Sequence, residues 1–221
     1  MSKEFKIKHL IYASTSSVYG MNTKLPFSES HAVDHPLQLY AATKRSNELM
    51  AHAYSNLYRL PTTGLRFFTV YGPWGRPDMA LFLFVKNILK RKILNIFNNG
   101  NHKRDFTYVD DIINGIYKVI FRAPKGISSK TLKPNNSTAP FRILNIGNSK
   151  KVRLFSFIKE IENSLQVKAK KKYLSLQKGD VIDTLSNTRE INKITNYKSK
   201  TTYKIGIKKF IKWFKNYYQI N

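Results

Sequence analysis

The chain has 221 residues, of which 42% are hydrophobic and 13% aromatic, and it contains no cysteine. This composition indicates a folded protein with one core or two lobes, and it excludes disulfides and thiolate metal sites. No apolar run approaches the roughly 18 residues of a membrane span, and the opening residues lack the apolar core of a signal peptide. We therefore expect a cytoplasmic protein with no membrane segment.

The charge is unusual, because 39 basic residues face 13 acidic ones and give a net charge of +26. Such a balance is typical of nucleic-acid binders, and lysines scattered over solvated faces are the alternative. The tightest cluster, at residues 168–172, comes without zinc-finger spacing, an RNA-stacking motif or a helix-turn-helix pattern. We therefore predict no specific nucleic-acid function, and a non-catalytic basic binding protein stays open as an alternative of another class.

The first third of the chain predicts a strand, a helix and a second strand. The apolar run at residues 8–14 indicates a strand buried on both faces, and the hydroxyl residues Ser14 to Ser17 follow it. Small polar side chains at a strand's carboxyl end lie where open α/β sheets bind ligands, although composition alone favours a serine-rich turn. A helix is predicted at about 39–58 and a strand at 62–71, which together indicate a βαβ unit and a parallel sheet. The predicted buried stripe of this helix is Leu49, Met50, Ala53, Tyr54 and Leu57.

The rest of the chain alternates between helices and strands. Helices are predicted at about 80–91, 110–122, 153–165 and 203–218, and strands at 93–97 and 142–147. Residues 124–140 are rich in Pro, Gly, Ser, Asn and Lys and predict an exposed loop. The predicted inward side chains of the helix at 110–122 are Ile112, Ile113, Ile116, Val119 and Ile120.

Tyr40 and Lys44 are the first candidates for catalysis. Four residues apart on a helix, they lie on one face, one turn from each other. An ammonium beside a phenol favours the phenolate, which can take a proton from a substrate hydroxyl. Spacing alone is weak evidence, because this pair arises by chance on many amphipathic helices.

Five ordered motifs strengthen that interpretation: ASTSSVYG at 13–20, YAATK at 40–44, LRFFTVYGP at 65–73, RDFTYVDDI at 104–112 and GD at 179–180. With them the chain resembles the extended short-chain dehydrogenases/reductases, specifically the NAD-dependent nucleotide-sugar epimerase/dehydratase family. The resemblance covers nearly the whole chain. It implies an isomerase, NAD as the cofactor and a UDP-sugar as the substrate.

The resemblance also assigns roles, residue by residue. Thr15, Tyr40 and Lys44 match the catalytic triad, in which the tyrosine removes the proton from the C4 hydroxyl while hydride passes to NAD. The implied cofactor-binding residues are Ser14, Tyr40, Lys44 and Phe67. The implied substrate-binding residues are Ser16, Ser17, Thr69, Arg76, Arg104 and Asp180, with Arg104 facing the diphosphate. An ion pair between Arg104 and Asp105 is the alternative for that arginine. No metal site is predicted.

Within the family, GPWGRPDMA at 72–80 resembles the subgroup that converts UDP-glucuronate to UDP-galacturonate. Arg76 would then bind the C6 carboxylate, which a neutral hexose lacks, and a surface arginine in a turn is the alternative. Gln177 fits the same subgroup. Another epimerase, dehydratase or reductase of the family stays open, but a dehydratase would want an acidic residue beside Thr15, where Ser16 and Ser17 stand.

The family begins with a Gly-x-x-Gly-x-x-Gly turn that binds the cofactor pyrophosphate, and this sequence has no such segment. We therefore expect a truncated form that is inactive alone. Three origins stay open: a piece of a split gene, a half completed by a separate N-terminal polypeptide, or a reading frame that starts upstream of Met1. The family also predicts a homodimer through the helix at 39–58, with Met50 and Tyr54 at the contact.

The expected fold is α/β, a partial Rossmann-like parallel sheet that lacks its N-terminal βαβ units, with a smaller mixed α/β substrate-binding lobe. Residues 1–75 would form the C-terminal part of the NAD-binding domain, with returns at about 105–122 and 141–147. The sugar-nucleotide lobe would comprise residues 76–104 and 148–221.

Overall fold

A computed structural model describes residues 4–220, so residues 1–3 and 221 of the two predicted domain ranges lie outside it. The strands within this range are β1 (Leu10–Thr15), β2 (Thr62–Phe67), β3 (Thr69–Tyr71), β4 (Ile93–Ile96), β5 (Lys103–Tyr108), β6 (Phe141–Ile146), β7 (Lys151–Arg153) and β8 (Lys170–Tyr173). The α-helices are α1 (Leu39–Tyr58), α2 (Ala80–Leu89), α3 (Val109–Ile120), α4 (Leu154–Leu165), α5 (Arg189–Thr195) and α6 (Tyr203–Tyr217). No helix in the described range has the length and hydropathy that a membrane span requires.

Within residues 4–220 the main sheet contains three parallel strands in the order β1-β2-β6. Its register pairs Thr15 with Phe67 and Phe67 with Ile146, so the carboxyl ends of the three strands lie side by side. Helix α1 covers one face, where Ala51 packs against a cluster with Phe141. Helices α3 and α5 cover the other face. This confirms the predicted α/β class with a parallel sheet, while the division into two domains stays a prediction.

Two smaller sheets complete the described part. Strand β5 pairs parallel with β3 and antiparallel with β7, and β4 pairs parallel with β8. Helices α2, α4 and α6 pack with them around a large aromatic and aliphatic core. Strand β8 was not expected, because its sequence, Lys170 to Tyr173, has the composition of a solvated basic run. One of its lysines, Lys171, forms an ion pair with Glu162 of α4 at 2.6 Å.

The predicted strand at 62–71 is two strands in two different sheets. The break falls at Phe68, whose backbone N–H donates to the carbonyl of Ile146 at 3.2 Å. The chain therefore leaves the main sheet after Phe67 and enters the β3-β5-β7 sheet at Thr69. Continuous β-forming residues hide such a change of sheet from a sequence pattern.

The predicted buried stripe of α1 is wrong, because all five of its residues are exposed. Tyr54 is 56% exposed and Leu57 69%. The side of α1 that faces the sheet instead carries Ala41, Glu48 and Ser55. The periodic apolar residues therefore lie on the outer face of α1. The inner face carries the carboxylate of Glu48, which can be buried because Arg66 neutralises its charge.

Two smaller expectations also need correction. Ile113 and Ile120 of α3 are 57% and 46% exposed, because the inner arc of this helix is centred on Ile112, Gly115 and Val119. Gly115 lets the helix approach closely, since a Cβ there would lie 2.6 Å from Ile146 Cδ1. The loop at 124–140 is mostly exposed as predicted, but it is anchored by buried residues, of which Asn135 accepts a hydrogen bond from the N–H of Ile143 at 2.8 Å.

Candidate active site

The hydroxyl residues that follow β1 form a short 3-10 turn at the carboxyl edge of the main sheet. Thr15 ends the strand, and its side chain accepts a hydrogen bond from the N–H of Ser17 at 3.2 Å and so caps the turn over Ser16–Tyr19. Its hydroxyl also donates to Ser17 Oγ at 3.2 Å. Thr15 is buried, whereas Ser16 and Ser17 are partly accessible. The turn thus presents three hydroxyl groups at the place where open α/β sheets bind ligands.

The first turns of α1 bring Tyr40 and Lys44 to the same edge. Lys44 Nζ donates to the carbonyl of Ala13 in β1 at 3.1 Å, which holds the ammonium beside the strand. Tyr40 is 50% exposed. Gln38, which precedes the helix, donates from Nε2 to the carbonyl of Gly179 at 2.9 Å. The start of α1 is therefore tied to β1 on one side and to the segment that carries Asp180 on the other.

A buried ion pair fixes α1 against the sheet one turn beyond Lys44. Arg66 of β2 binds Glu48 of α1 through two hydrogen bonds, Nε to Oε1 at 2.9 Å and Nη2 to Oε2 at 2.8 Å. Ser14 Oγ donates to the same carboxylate at 2.6 Å, and Arg45 Nη1 donates at 3.1 Å. Burial alone would raise the pKa of Glu48, but the hydrogen bonds and charge of Arg66 outweigh it and lower that pKa.

The Ser14 hydroxyl therefore donates its hydrogen bond to Glu48, and its cofactor-binding role stays a prediction. The same carboxylate joins the end of β1, strand β2 and helix α1. Because Thr15 follows Ser14 directly, and Lys44 lies one turn before Glu48, this contact sets how the candidate catalytic groups face each other. Sequence reasoning missed Glu48 and Arg66, although a glutamate four residues after Lys44 on the same helix face was visible.

The turn after β1 has its own buried support. The guanidinium of Arg66 lies 4.9 Å from the ring centre of Tyr19, and the Tyr19 hydroxyl donates to Asn145 Oδ1 at 2.6 Å. The backbone N–H of Asn145 in turn donates to Glu29 Oε1 at 2.8 Å. Burial raises the pKa of Tyr19 to about 12, so this phenol stays a neutral hydrogen-bond donor at physiological pH.

Arg104 and Asp180 meet directly. Arg104 Nη2 binds Asp180 Oδ1 at 2.9 Å, and Nη1 donates to the carbonyl of Ile182 at 2.6 Å. Burial lowers the pKa of Arg104, and the nearby carboxylates oppose that shift. The alternative of an ion pair between Arg104 and Asp105 is wrong. Neighbouring residues of a strand point to opposite faces, and Asp105 is buried on the other side.

Asp105 has a structural role instead. Its carboxylate accepts hydrogen bonds from the backbone N–H and the hydroxyl of Ser186, at 2.9 and 2.6 Å, and from the N–H groups of Asn148 and Ser149 at 2.8 and 3.0 Å. These contacts join β5 to the segments after β6 and before α5. They fix the strand from which Arg104 projects.

Arg76 lies in the loop between β3 and α2 and is paired with Asp78. The fork is bidentate, with Nε to Oδ1 at 3.1 Å and Nη2 to Oδ2 at 2.5 Å. Both side chains are exposed, 73% for Arg76 and 61% for Asp78, so the pair contributes little to stability and exchanges readily. The remaining N–H groups of the guanidinium are free to meet another carboxylate.

One cavity of about 1020 Å³ is lined by all eleven predicted site residues. They come from four places in the chain: the end of β1 with its turn, the start of α1, the strands β2, β3 and β5 with the loop after β3, and the loop before α5. Trp74 lines the same cavity and was not predicted. The roles assigned to these residues stay predictions, whereas their convergence on one cavity is an observation.

The chain is similar to several proteins over nearly its whole length. The family model described as "NAD dependent epimerase/dehydratase family" matches residues 1–133. Protein CapI of Staphylococcus aureus is 52% identical over 221 residues, and UDP-glucuronate 4-epimerase 4 of Arabidopsis thaliana is 46% identical over 213. These matches cover 99% and 95% of the chain but only 66% and 48% of the relatives. The chain thus spans at most about two thirds of the length of these relatives.

Solved structures give the same result. The UDP-glucuronic acid 4-epimerase of Bacillus cereus, in complex with UDP-glucuronic acid and NAD, superposes with a TM-score of 0.85 at 30% identity. That match covers 98% of the chain and 64% of the solved structure. The chain belongs to the NAD-dependent epimerase/dehydratase family.

Proposed function

We propose that this chain carries the substrate site and the proton-transfer residues of a nucleotide-sugar 4-epimerase that interconverts UDP-glucuronate and UDP-galacturonate. The observation that carries the proposal is the single cavity that Tyr40, Lys44, Thr15, Arg76 and Arg104 share. It brings together a phenol, an ammonium, a hydroxyl and two guanidinium groups. A sugar that carries both a diphosphate and a carboxylate needs that combination.

Proton transfer is assigned to Tyr40. Its phenol would take the proton of the C4 hydroxyl, and the Lys44 ammonium, already held at the end of β1, would stabilise the phenolate. Thr15 would hydrogen-bond the same substrate oxygen from the capped turn. NAD, when bound, supplies the hydride acceptor and donor at C4. The planar 4-keto sugar would rotate within the cavity, so that C4 is reduced from its opposite face while Tyr40 returns the proton to the C4 oxygen, which inverts the configuration at C4.

Substrate recognition is assigned to the two arginines. Arg76 would bind the C6 carboxylate with a planar fork, which a neutral hexose does not satisfy. Burial lowers the pKa of Arg104, and the negative charge of the diphosphate would favour its protonated guanidinium. Ser16, Ser17 and Thr69 supply hydroxyl groups to the same cavity, and Asp180 keeps Arg104 in place.

The residues fit one end of NAD. Tyr40 and Lys44 suit a ribose, and the apolar Phe67, which lines the same cavity, suits a nicotinamide. Ser14 lines the cavity too, but its hydroxyl is engaged by Glu48. The sequence holds no glycine-rich turn for the pyrophosphate, so we expect the 221-residue chain to bind UDP-glucuronate well and NAD weakly.

Two protein partners are proposed with this function. The exposed apolar side of α1, with Leu49, Met50, Tyr54 and Leu57, would be covered by the same helix of a second copy. Among the described residues β1 pairs only with β2, and its other edge would accept a strand from a separate N-terminal polypeptide. Both partners are inferred from the family resemblance and from exposed surfaces of the described residues.

Titration calorimetry with UDP-glucuronate tests the substrate site. Arg104→Gln should weaken binding by about 10- to 100-fold, because it removes a charge-assisted contact to the diphosphate. Lys193→Gln, which also removes one positive charge but lies on the exposed side of α5, is the matched control. Equal weakening in both variants would show that only the general positive field matters.

Turnover tests the proton-transfer role. With NAD present, formation of UDP-galacturonate should be abolished by Tyr40→Phe and retained by Tyr54→Phe, which removes the same hydroxyl from an exposed position on the same helix. If the chain alone gives no product, the assay is repeated with an added N-terminal polypeptide from a relative. Product formed equally by Tyr40→Phe would contradict the assignment.

A further inference from the structure

Trp74 occupies a backbone position that glycine normally takes. Residues 72–75 form a turn, closed by a hydrogen bond from the N–H of Gly75 to the carbonyl of Gly72 at 3.2 Å. Proline stands second in the turn, and Trp74 stands third with a φ of 62°. A positive φ at the third position favours glycine or asparagine, because other side chains crowd the backbone there. Folding of this turn alone therefore gives no reason for a tryptophan.

The Trp74 side chain is also unusually accessible. It is 73% exposed, although tryptophan has the largest side chain of the apolar residue types, and it lines the cavity of the candidate active site. Its ring touches Trp213 and Tyr217 of α6, with ring centres 5.3 and 5.1 Å apart. These two rings support the indole, and most of its surface stays free. A supported, exposed aromatic surface at a cavity is suited to contact a ligand.

We propose that Trp74 is a binding residue that stacks on the pyranose ring of the bound nucleotide sugar. The inference rests on the proposed function, because it needs a sugar in this cavity. Trp74 stands two residues before Arg76, which we assign to the sugar carboxylate, so both belong to the sugar end of the ligand. One face of a pyranose presents mainly C–H groups, and a flat indole covers such a face without breaking hydrogen bonds of the hydroxyl groups.

The first test separates ligand binding from folding. Trp74→Asn keeps a residue that tolerates positive φ but removes the ring. We expect the affinity for UDP-glucuronate to fall about 10-fold, whereas the affinity for UDP changes less than about twofold, since UDP carries no pyranose. The melting temperature should stay equal or rise, because the backbone strain is relieved. Trp74→Phe, which keeps a smaller ring, should weaken UDP-glucuronate binding by only about threefold.

The second test uses fluorescence, because the chain has only two tryptophans. In Trp213→Phe the emission reports Trp74 alone. Saturating UDP-glucuronate should shift that emission to shorter wavelength as the exposed indole becomes covered, and saturating UDP should leave it unchanged. This readout needs neither NAD nor turnover.

The outcomes distinguish the inference from the proposed function. Unchanged UDP-glucuronate affinity in Trp74→Asn, or an unchanged Trp74 emission at saturation, would overturn the stacking role while leaving the epimerase site intact. A large loss of melting temperature in Trp74→Asn, together with equal losses of UDP and UDP-glucuronate affinity, would show a structural role and overturn it as well. If neither UDP nor UDP-glucuronate binds the wild-type chain, both the proposed function and the stacking role are wrong.

Discussion

The buried pair of Glu48 and Arg66 provides the sharpest stability prediction. Both side chains are fully buried, and four hydrogen bonds end on the Glu48 carboxylate. Glu48→Gln keeps the shape of the side chain but leaves the positive charge of Arg66 without a counter-charge. The amide NH2 group of the glutamine would also face donor groups that the carboxylate accepts from in the wild-type chain. Breaking a buried pair in this way costs about 3–5 kcal/mol of unfolding free energy. For a chain of this size that corresponds to a fall in melting temperature of roughly 6–20 °C.

Urea denaturation at neutral pH, followed by circular dichroism, measures this cost. Glu162→Gln is the matched control, because Glu162 is also buried and paired with a lysine, Lys171, that keeps access to solvent. Its cost should be only about 1 kcal/mol. The double variant Glu48→Leu with Arg66→Met removes both charges and should recover most of the lost stability. A cost for Glu48→Gln no larger than that of the control would refute the reasoning.

Three further predictions concern pH, packing and association. The pKa of Glu48 is lowered in the folded chain. The ionised carboxylate therefore stabilises the fold at pH values above 4.5, and this stabilisation is lost as the pH falls from 4.5 through the lowered pKa of the folded state. The difference in unfolding free energy between wild type and Glu48→Gln should therefore shrink in acid, as urea titrations at several pH values would show. Gly206→Ala should cost about 1–3 kcal/mol of unfolding free energy, because its Cβ would lie 2.1 Å from the Tyr71 hydroxyl; an unchanged melting temperature would count against this packing. Replacing exposed Tyr54 and Leu57 of α1 by lysine should shift a dimer to monomer in analytical ultracentrifugation while leaving the melting temperature of the monomer nearly unchanged.

The sequence predicted the parallel sheet, and the candidate residues that it named line one cavity, for a physical reason. Parallel strands place their carboxyl ends at one edge, so polar residues after successive strands converge without any knowledge of side-chain positions. Thr15, the last residue of β1, and Thr69, which follows shortly after β2, obeyed this rule. The contact of Arg104 with Asp180 could not be derived in this way, because it joins residues 76 positions apart through a loop.

Burial was predicted less well, because periodicity reports apolar residues and does not report which side faces the sheet. On α1 the apolar side is exposed, and the inner side carries Glu48. Arg66 neutralises this carboxylate, and Ser14 donates a hydrogen bond to it. A single sequence read by hydropathy assigns such a carboxylate to solvent. Hydropathy also gave no sign of Trp74. Its unusual position is visible only in the structure, where its positive φ is one that a turn would normally fill with glycine or asparagine.

The most direct test of the central claim is a comparison of UDP-glucuronate with UDP-glucose in titrations of the 221-residue chain. The two ligands differ only at C6, where the first carries a carboxylate. If Arg76 in this cavity recognises that carboxylate, UDP-glucuronate should bind about 10-fold more tightly, and Arg76→Leu should remove the difference without changing UDP binding. Equal affinities in the wild-type chain, or a preference that persists in Arg76→Leu, would contradict the account.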